Sequence, residues 1–129
     1  MNFLDSSAWL AFFADEDGAE NFADVLEAPA ELIVPTVVVY EVFKVLLRES
    51  GDDDALKAYA AMSQGQIVEI RSRLAVEAAA RLSLQYRLPM EDSMIFATAQ
   101  MADATLWTQD ADFKDLPGVR FFPKDENRS

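Results

Sequence analysis

The sequence predicts an α/β fold, a three-layer α/β/α sandwich around a central, mostly parallel sheet of five strands. Short apolar segments, each closed by a polar or turn residue, alternate along the chain with longer segments of helical periodicity. Such alternation produces parallel strands whose two faces are covered by helices. Hydrophobic residues make up 51% of the 129 residues, enough for one packed core. We therefore predict a single domain over residues 1–129, with the last few residues disordered.

The predicted strands are short runs of apolar and β-branched residues. They cover residues 2–4, 32–34, 67–70, 105–108 and 119–122. The segments between them carry apolar residues at helical spacing and predict helices over 8–13, 19–27, 37–50, 53–62, 74–86 and 91–102. Ser6 and Ser7 are the predicted cap of the first helix. The last helix has acidic residues in its first turn, where the helix dipole favours them.

The segment over residues 37–50 fits a strand or a helix. Its opening run of three valines favours a strand. Val38 and Val42, however, recur at a helical interval, and Gly51 is a typical helix terminator. We therefore predict a helix here, with Thr36 as its N-cap.

The chain contains neither cysteine nor histidine, which limits its chemistry. Disulfides, a histidine general base and the usual zinc sites are excluded, so catalysis must use carboxylates, hydroxyls, lysines or arginines. The formal net charge of −12 argues against direct contact with nucleic acid unless a cation or a basic partner intervenes. The first residues do not resemble a signal peptide, and the longest nearly apolar run, residues 32–43, is too short to span a bilayer. We therefore expect a cytoplasmic protein without a membrane partner.

Four acidic residues stand at strand ends or helix starts. Asp5 directly follows the first strand, and Asp110 lies two residues beyond the fourth. Glu41 lies in the second turn of the helix after the second strand, and Asp92 in the first turn of the helix before the fourth. If the first and fourth strands are neighbours where the strand order reverses, these side chains converge at one edge of the sheet. Asp112 is a further candidate beside them.

A cluster of carboxylates is costly unless something neutralises it. Two carboxylates about 4 Å apart repel by about 4 kcal/mol at an effective dielectric near 20. Shared protons or a bound cation remove this cost. Oxygen ligands suit hard ions, so the pattern predicts Mg²⁺, or Mn²⁺, which can activate water and polarise a phosphodiester.

Each acidic residue also has a purely structural interpretation. Asp5 and Asp110 can cap turns, and Asp92 is stabilising in the first turn of a helix whatever its chemistry. Glu41 and Lys44 can form a surface ion pair along the same helix. Composition and spacing alone leave a site and these structural interpretations open.

Four segments resemble, in order, the motifs of the PIN-domain family, and in particular those of its VapC-like toxins. They are FLDSSA over 3–8, PTVVVYEV over 35–42, LPMEDSMIFATA over 88–99 and LWTQDADF over 106–113. Residues 116–120, LPGVR, are similar to the family's approach to its last strand. The resemblance spans nearly the whole chain and implies a PIN-like fold.

The resemblance also implies a function, a Mg²⁺-dependent endoribonuclease that is the toxin of a VapBC-like toxin–antitoxin system. The implied catalytic residues are Asp5, Glu41, Asp92 and Asp110, of which Asp5, Asp92 and Asp110 would bind the metal. The implied partners are an RNA substrate, a cognate antitoxin and a second copy in a homodimer, with DNA reached only through the antitoxin. Two alternatives are a PIN-fold module that mainly binds an antitoxin and DNA, and a metal-dependent nuclease or phosphatase with another substrate.

Five further residues have supporting interpretations. Ser7 and Thr108 could orient a ligand carboxylate or a metal-bound water, although capping and ordinary strand hydrogen bonds explain them equally well. Asp112 could share or exchange roles with Asp110. Lys44 and Arg48 share a helix face with Glu41 and could contact RNA phosphates, or could be solvated ion-pair partners.

Overall fold

The computed structural model describes residues 1–68 and 73–124 of the chain. In these residues five strands form one sheet in the order β3-β2-β1-β4-β5, and every neighbouring pair is parallel. The strands are β1 Asn2–Leu4, β2 Leu32–Pro35, β3 Gln66–Val68, β4 Thr105–Thr108 and β5 Val119–Phe121. The predicted five-stranded sheet is confirmed. The predicted third strand extends to residues 69 and 70, which lie outside the described residues.

Six α-helices, within the described ranges, complete the predicted three-layer sandwich. They are α1 Ser6–Phe13, α2 Ala23–Leu26, α3 Thr36–Ser50, α4 Asp52–Met62, α5 Arg73–Tyr86 and α6 Met90–Met101. Helix α3 packs against α1 and α4, and α5 packs against α6. None of these helices combines the length and the apolar character needed to cross a bilayer.

The order of the strands reverses between β1 and β4, which are neighbours as the sequence analysis required. Phe3 pairs with Leu106, and Leu4 pairs with Trp107. The Asp5 amide then donates to the Trp107 carbonyl at 3.2 Å. Both strands therefore end side by side, and the residues that follow them meet at one edge of the sheet.

The central strands form the core and carry apolar side chains on both faces. Phe3, Leu4, Val34 and Leu106 are completely buried. Because helices cover both faces, β2 is buried along its whole length and β1 over its last two residues, whereas β4 alternates between half-buried and buried residues. This is why short runs of the sequence sufficed to locate them.

Three local predictions were wrong. Asp5, not Ser6 or Ser7, caps α1. Pro35 occupies the N-cap position of α3, without a side-chain bond, and Thr36 is the first helical residue. The predicted helix over 19–27 is divided into a 3₁₀ turn, Ala19–Phe22, and the short α2. Phe22 is fully buried and meets Phe122 edge-on at 5.7 Å, so tertiary packing sets the backbone there.

Candidate active site

Asp5 joins the end of β1 to the start of α1. Its backbone is extended, and its Oδ1 accepts the Ala8 amide at 3.1 Å, which is the N-cap bond of α1. The same oxygen accepts the Ser7 hydroxyl at 2.7 Å, and Oδ2 accepts the Thr108 hydroxyl at 2.6 Å. Three donors thus hold a carboxyl group that is only 2% exposed.

Thr108 and Ser7 connect the ends of β1 and β4. Thr108 is fully buried, and its hydroxyl also accepts the Asp110 amide at 2.9 Å. The Ser7 hydroxyl accepts the Gln109 amide at 3.0 Å and lies 3.3 Å from the Thr108 hydroxyl. These contacts place both hydroxyl groups where the sequence analysis expected them, beside an acidic site residue.

Three further carboxylates lie next to this network. Asp92, Asp110 and Asp112 each place a carboxylate oxygen within 4.8 Å of the others. Asp92 comes from the first turn of α6, whereas Asp110 follows β4 and caps a 3₁₀ turn by accepting the Asp112 amide at 2.9 Å. The donor set consists of carboxylate oxygens alone, which fits a hard divalent ion such as Mg²⁺ or Mn²⁺.

The electrostatics of the cluster show what this arrangement costs. Burial, followed by the charge of Asp110 and a hydrogen bond that the protonated Asp92 donates to the Asp112 side chain, raises the pKa of Asp92 to about 8. Burial raises the pKa of Asp5 to about 6, although the Thr108, Ser7 and Ala8 donors lower it, and Asp110 adds to the rise. Asp92 therefore retains a proton near neutral pH unless a cation replaces it.

Glu41 lies in a second acidic pair beside this cluster. The Ser6 hydroxyl donates to Glu41 Oε1. A hydrogen bond with Glu41, followed by burial and the Glu41 charge, raises the pKa of Glu91 to about 7, while Lys44 lowers it. Ser6 and Glu91 were not predicted as site residues. The position of Glu91 beside Asp92 was the available signal, but the helix dipole already explained an acid there.

A cavity of about 780 Å³ opens from the site. Ser6, Ser7, Glu41 and Asp110 line it at the ends of the strands. Lys124, which the sequence analysis did not select, supplies the one cationic side chain among the described residues that line this cavity. The space is large enough for a nucleotide-sized group next to Glu41 and Asp110, and Asp110 is the member of the aspartate cluster that lines it.

The two basic residues predicted to contact phosphates lie elsewhere. Lys44 Nζ stands 5.7 Å above the Tyr40 ring and lines a separate, mostly apolar cavity of about 500 Å³. Arg48 forms an exposed ion pair with Glu49 at 3.3 Å. Neither lines the larger cavity. Their phosphate contacts stay a prediction.

Comparison with known proteins agrees with this geometry. The family model for the PIN domain matches residues 3–119. A toxin–antitoxin complex from Klebsiella pneumoniae is similar at 25% identity over 95% of this chain and 99% of that one, with a TM-score of 0.81. The toxin VapC20 from Mycobacterium tuberculosis is 20% identical over 91% of this chain and 95% of that one, with a TM-score of 0.72. VapBC2 from Rickettsia felis is 17% identical over 96% and 98%, with a TM-score of 0.74.

No sequence among the curated proteins matches the chain. The family model nevertheless extends from β1 to the start of β5 and includes all the acidic residues described above. The predicted resemblance to VapC-like toxins is confirmed by the family model and by the solved structures together. The chain belongs to the PIN domain family.

Proposed function

We propose that the chain is a Mg²⁺-dependent endoribonuclease and the toxin component of a VapBC-like toxin–antitoxin system. The observation that carries the proposal is the convergence of Asp92, Asp110 and Asp112 beside the buried Asp5, at the strand-order reversal of a PIN fold. Among the similar structures, one is a toxin described as cleaving the sarcin–ricin loop, and others are toxin–antitoxin complexes. These descriptions support the proposal by likeness.

Asp92, Asp110 and Asp112, with Asp5 behind them, would hold the divalent ion. When bound, such an ion makes water more acidic and polarises a phosphodiester. The chain supplies the rest. Thr108 and Ser7 keep the Asp5 carboxylate oriented by hydrogen bonds, and Asp92 would have to be deprotonated to hold the ion.

Glu41 completes the proposed catalytic set from α3. It is half-buried, is held by Ser6 and lines the cavity together with Asp110. A carboxylate in this position can orient an attacking water or accept a proton from it. Glu41 therefore acts on the nucleophile, while the aspartates act on the phosphate.

The same charge distribution supports the proposed partners. The charged residues that line the larger cavity are mostly acidic, with Glu16, Glu41, Glu49 and Asp110 against Lys124. It suits a basic segment of a cognate antitoxin, which would block the site until removed. Because the net charge of the chain is −12, DNA is proposed as a partner only through that antitoxin. Homodimerisation is proposed from likeness to the family.

The test compares the wild type with Asp5→Asn and Asp92→Asn, and uses Asp24→Asn as a matched control at an exposed helix start. Each protein is incubated with RNA, single-stranded DNA and a phosphate ester, in Mg²⁺, in Mn²⁺ and in EDTA. We expect RNA cleavage in Mg²⁺ or Mn²⁺ by the wild type and by Asp24→Asn, and at least about 100-fold less by the two site variants. Circular dichroism should show all four proteins folded.

Equal RNA cleavage by all four purified proteins would mean that a contaminant is responsible, and the proposal would fail. Cleavage of DNA or of the ester in preference to RNA would support the alternative of a nuclease or phosphatase with another substrate. Calorimetry provides an independent measurement. If no heat of Mg²⁺ or Mn²⁺ binding is seen at millimolar ion, the result would favour the alternative of a PIN-fold module that mainly binds an antitoxin and DNA.

A further inference from the structure

Two adjacent serines at the start of α1 hold two different acidic residues. The Ser7 hydroxyl donates to Asp5, within the same segment. The Ser6 hydroxyl donates to Glu41, 35 residues further along in α3. Ser6 is 9% exposed and lines the larger cavity together with Glu41.

We propose that Ser6 is a positioning residue that fixes the Glu41 carboxylate at the wall of the active-site cavity. The inference rests on the proposed nuclease function, and it assigns a role to a residue outside the proposed catalytic set. A serine hydroxyl has one hydrogen to donate, and here that hydrogen is given to Glu41 Oε1. Ser6 thus acts on the reaction only through Glu41.

Glu41 has two hydrogen-bond partners on different helices, Ser6 of α1 and Glu91 of α6. Its side chain has several rotatable bonds and is half-buried on the surface of α3. Lys44, on the same helix, lies on the side of the apolar cavity, where it would attract a free carboxylate. Ser6 and Glu41 both line the larger cavity, so their bond keeps the carboxylate on the Asp110 side.

Ser6 is itself well anchored for this role. It is the first residue of α1, directly after the Asp5 cap, and that cap is tied to Thr108 on β4. A shift of α1 would therefore disturb the cap bond and the Thr108 bond together. The Ser6 hydroxyl is therefore held in place by the contacts of α1 with the sheet, and through its hydrogen bond it holds the Glu41 side chain of α3.

The test measures RNA cleavage by Ser6→Ala, Ser6→Thr and the control Ser63→Ala, all in Mg²⁺. Ser63 is an exposed serine directly after α4 that donates to the Tyr59 carbonyl, and it is not among the residues that line the larger cavity. We expect Ser6→Ala to lower kcat by about 10- to 100-fold, with KM changed less than about threefold. Ser6→Thr keeps the hydroxyl and should recover most of kcat, and Ser63→Ala should match the wild type.

A double-mutant cycle separates positioning from a general structural effect. If Ser6 acts through Glu41, then Ser6→Ala in a Glu41→Gln background should lower kcat no further than Glu41→Gln alone. A further drop by the same factor as in the wild type would overturn the inference. This comparison remains valid when Ser6→Ala lowers the melting temperature, provided that both proteins are assayed below it.

Three other outcomes also decide the matter. A Ser6→Ala variant with wild-type kcat would overturn the inference while leaving the nuclease proposal intact. A folded Ser6→Thr variant as inactive as Ser6→Ala would show that the hydroxyl is not the group required. A wild type inactive on RNA with any divalent ion would overturn the proposed function, and the inference with it.

Discussion

Replacing Thr108 with valine tests the hydrogen-bond network under the acidic cluster. Valine has nearly the same shape, so this fully buried position keeps its packing. The variant loses the donor to Asp5 Oδ2 and the acceptor for the Asp110 amide, two contacts of 2.6 and 2.9 Å. The change therefore removes polar contacts without creating a cavity.

The magnitude follows from these two contacts. A hydrogen bond to a charged group contributes about 1.5–3 kcal/mol, and a buried amide left without its partner costs about 1–3 kcal/mol. The Asp110 amide is only partly buried, so the lower end applies to it. We expect a loss of about 3 kcal/mol at pH 8, which corresponds to roughly 10 °C in the melting temperature of a domain of this size.

The loss should depend on pH, with a sign that the pKa of Asp5 determines. That pKa is about 6, so Asp5 is charged at pH 8 and mostly protonated at pH 5. Because the Thr108 donor stabilises the charged form, its removal should cost about half as much at pH 5. Urea unfolding of the metal-free protein in EDTA at both pH values measures this difference.

Thr98→Val is the matched control. Thr98 is also a buried threonine, but its hydroxyl only donates to the Met94 carbonyl within α6. Such a bond adds little to the stability of a helix, so we expect a change within about 0.5 kcal/mol at both pH values. If Thr108→Val is no more destabilising than Thr98→Val at pH 8, the network does not support Asp5 in the way described.

Three further predictions concern the site and the fold. Metal-free protein should become less stable as the pH rises from 5 to 9. The pKa of Asp92 in the folded protein, about 8, lies above its unfolded value, so the folded state holds a proton that the unfolded state has lost, and this stabilisation disappears as the pH rises through 8. Mg²⁺ should raise the melting temperature more at pH 8 than at pH 6, and equal shifts would contradict this. Lys124→Ala should raise KM for RNA several-fold while Arg81→Ala leaves it unchanged, because Lys124 lines the larger cavity whereas Arg81 forms an exposed ion pair with Glu77 on α5; steady-state kinetics at two salt concentrations tests the pair. Gly65→Ala should destabilise the domain by about 1–3 kcal/mol, since its Cβ would lie 2.8 Å from the buried Val34 side chain, and unchanged urea unfolding would refute this.

Much of the fold was predictable because its strands are buried on both faces. Apolar runs identified β1, β2 and β4, and the helical spacing within 37–50 outweighed the strand preference of its valines. The caps were not predictable from residue preference alone. An aspartate and a serine are both good N-caps, and only the pairing of β1 with β4 determines that Asp5 occupies the cap position.

The candidate site was also predictable only in part. Asp92 and Asp110 meet as expected, because both lie at the carboxyl edge of the sheet where β1 and β4 are neighbours. Ser6 and Glu91 were missed because their contacts with Glu41 join helices that are distant in the chain. The spacing of residues within one helix gives no sign of a contact with another helix. The predicted role of Asp5 as a metal ligand stays a prediction, since its oxygens are engaged by Ser7, Thr108 and the cap bond.

The shared use of the Asp5 carboxylate has a consequence for natural and engineered inactive forms of the protein. Asparagine keeps an oxygen for the Ala8 amide, so it removes the negative charge and preserves the start of the helix. Alanine removes both, and a cell carrying that variant would accumulate less protein in addition to losing activity. Inactive variants at this position should therefore fall into two groups. Variants with asparagine should accumulate to normal levels, variants with alanine should accumulate less, and immunoblotting would separate the two.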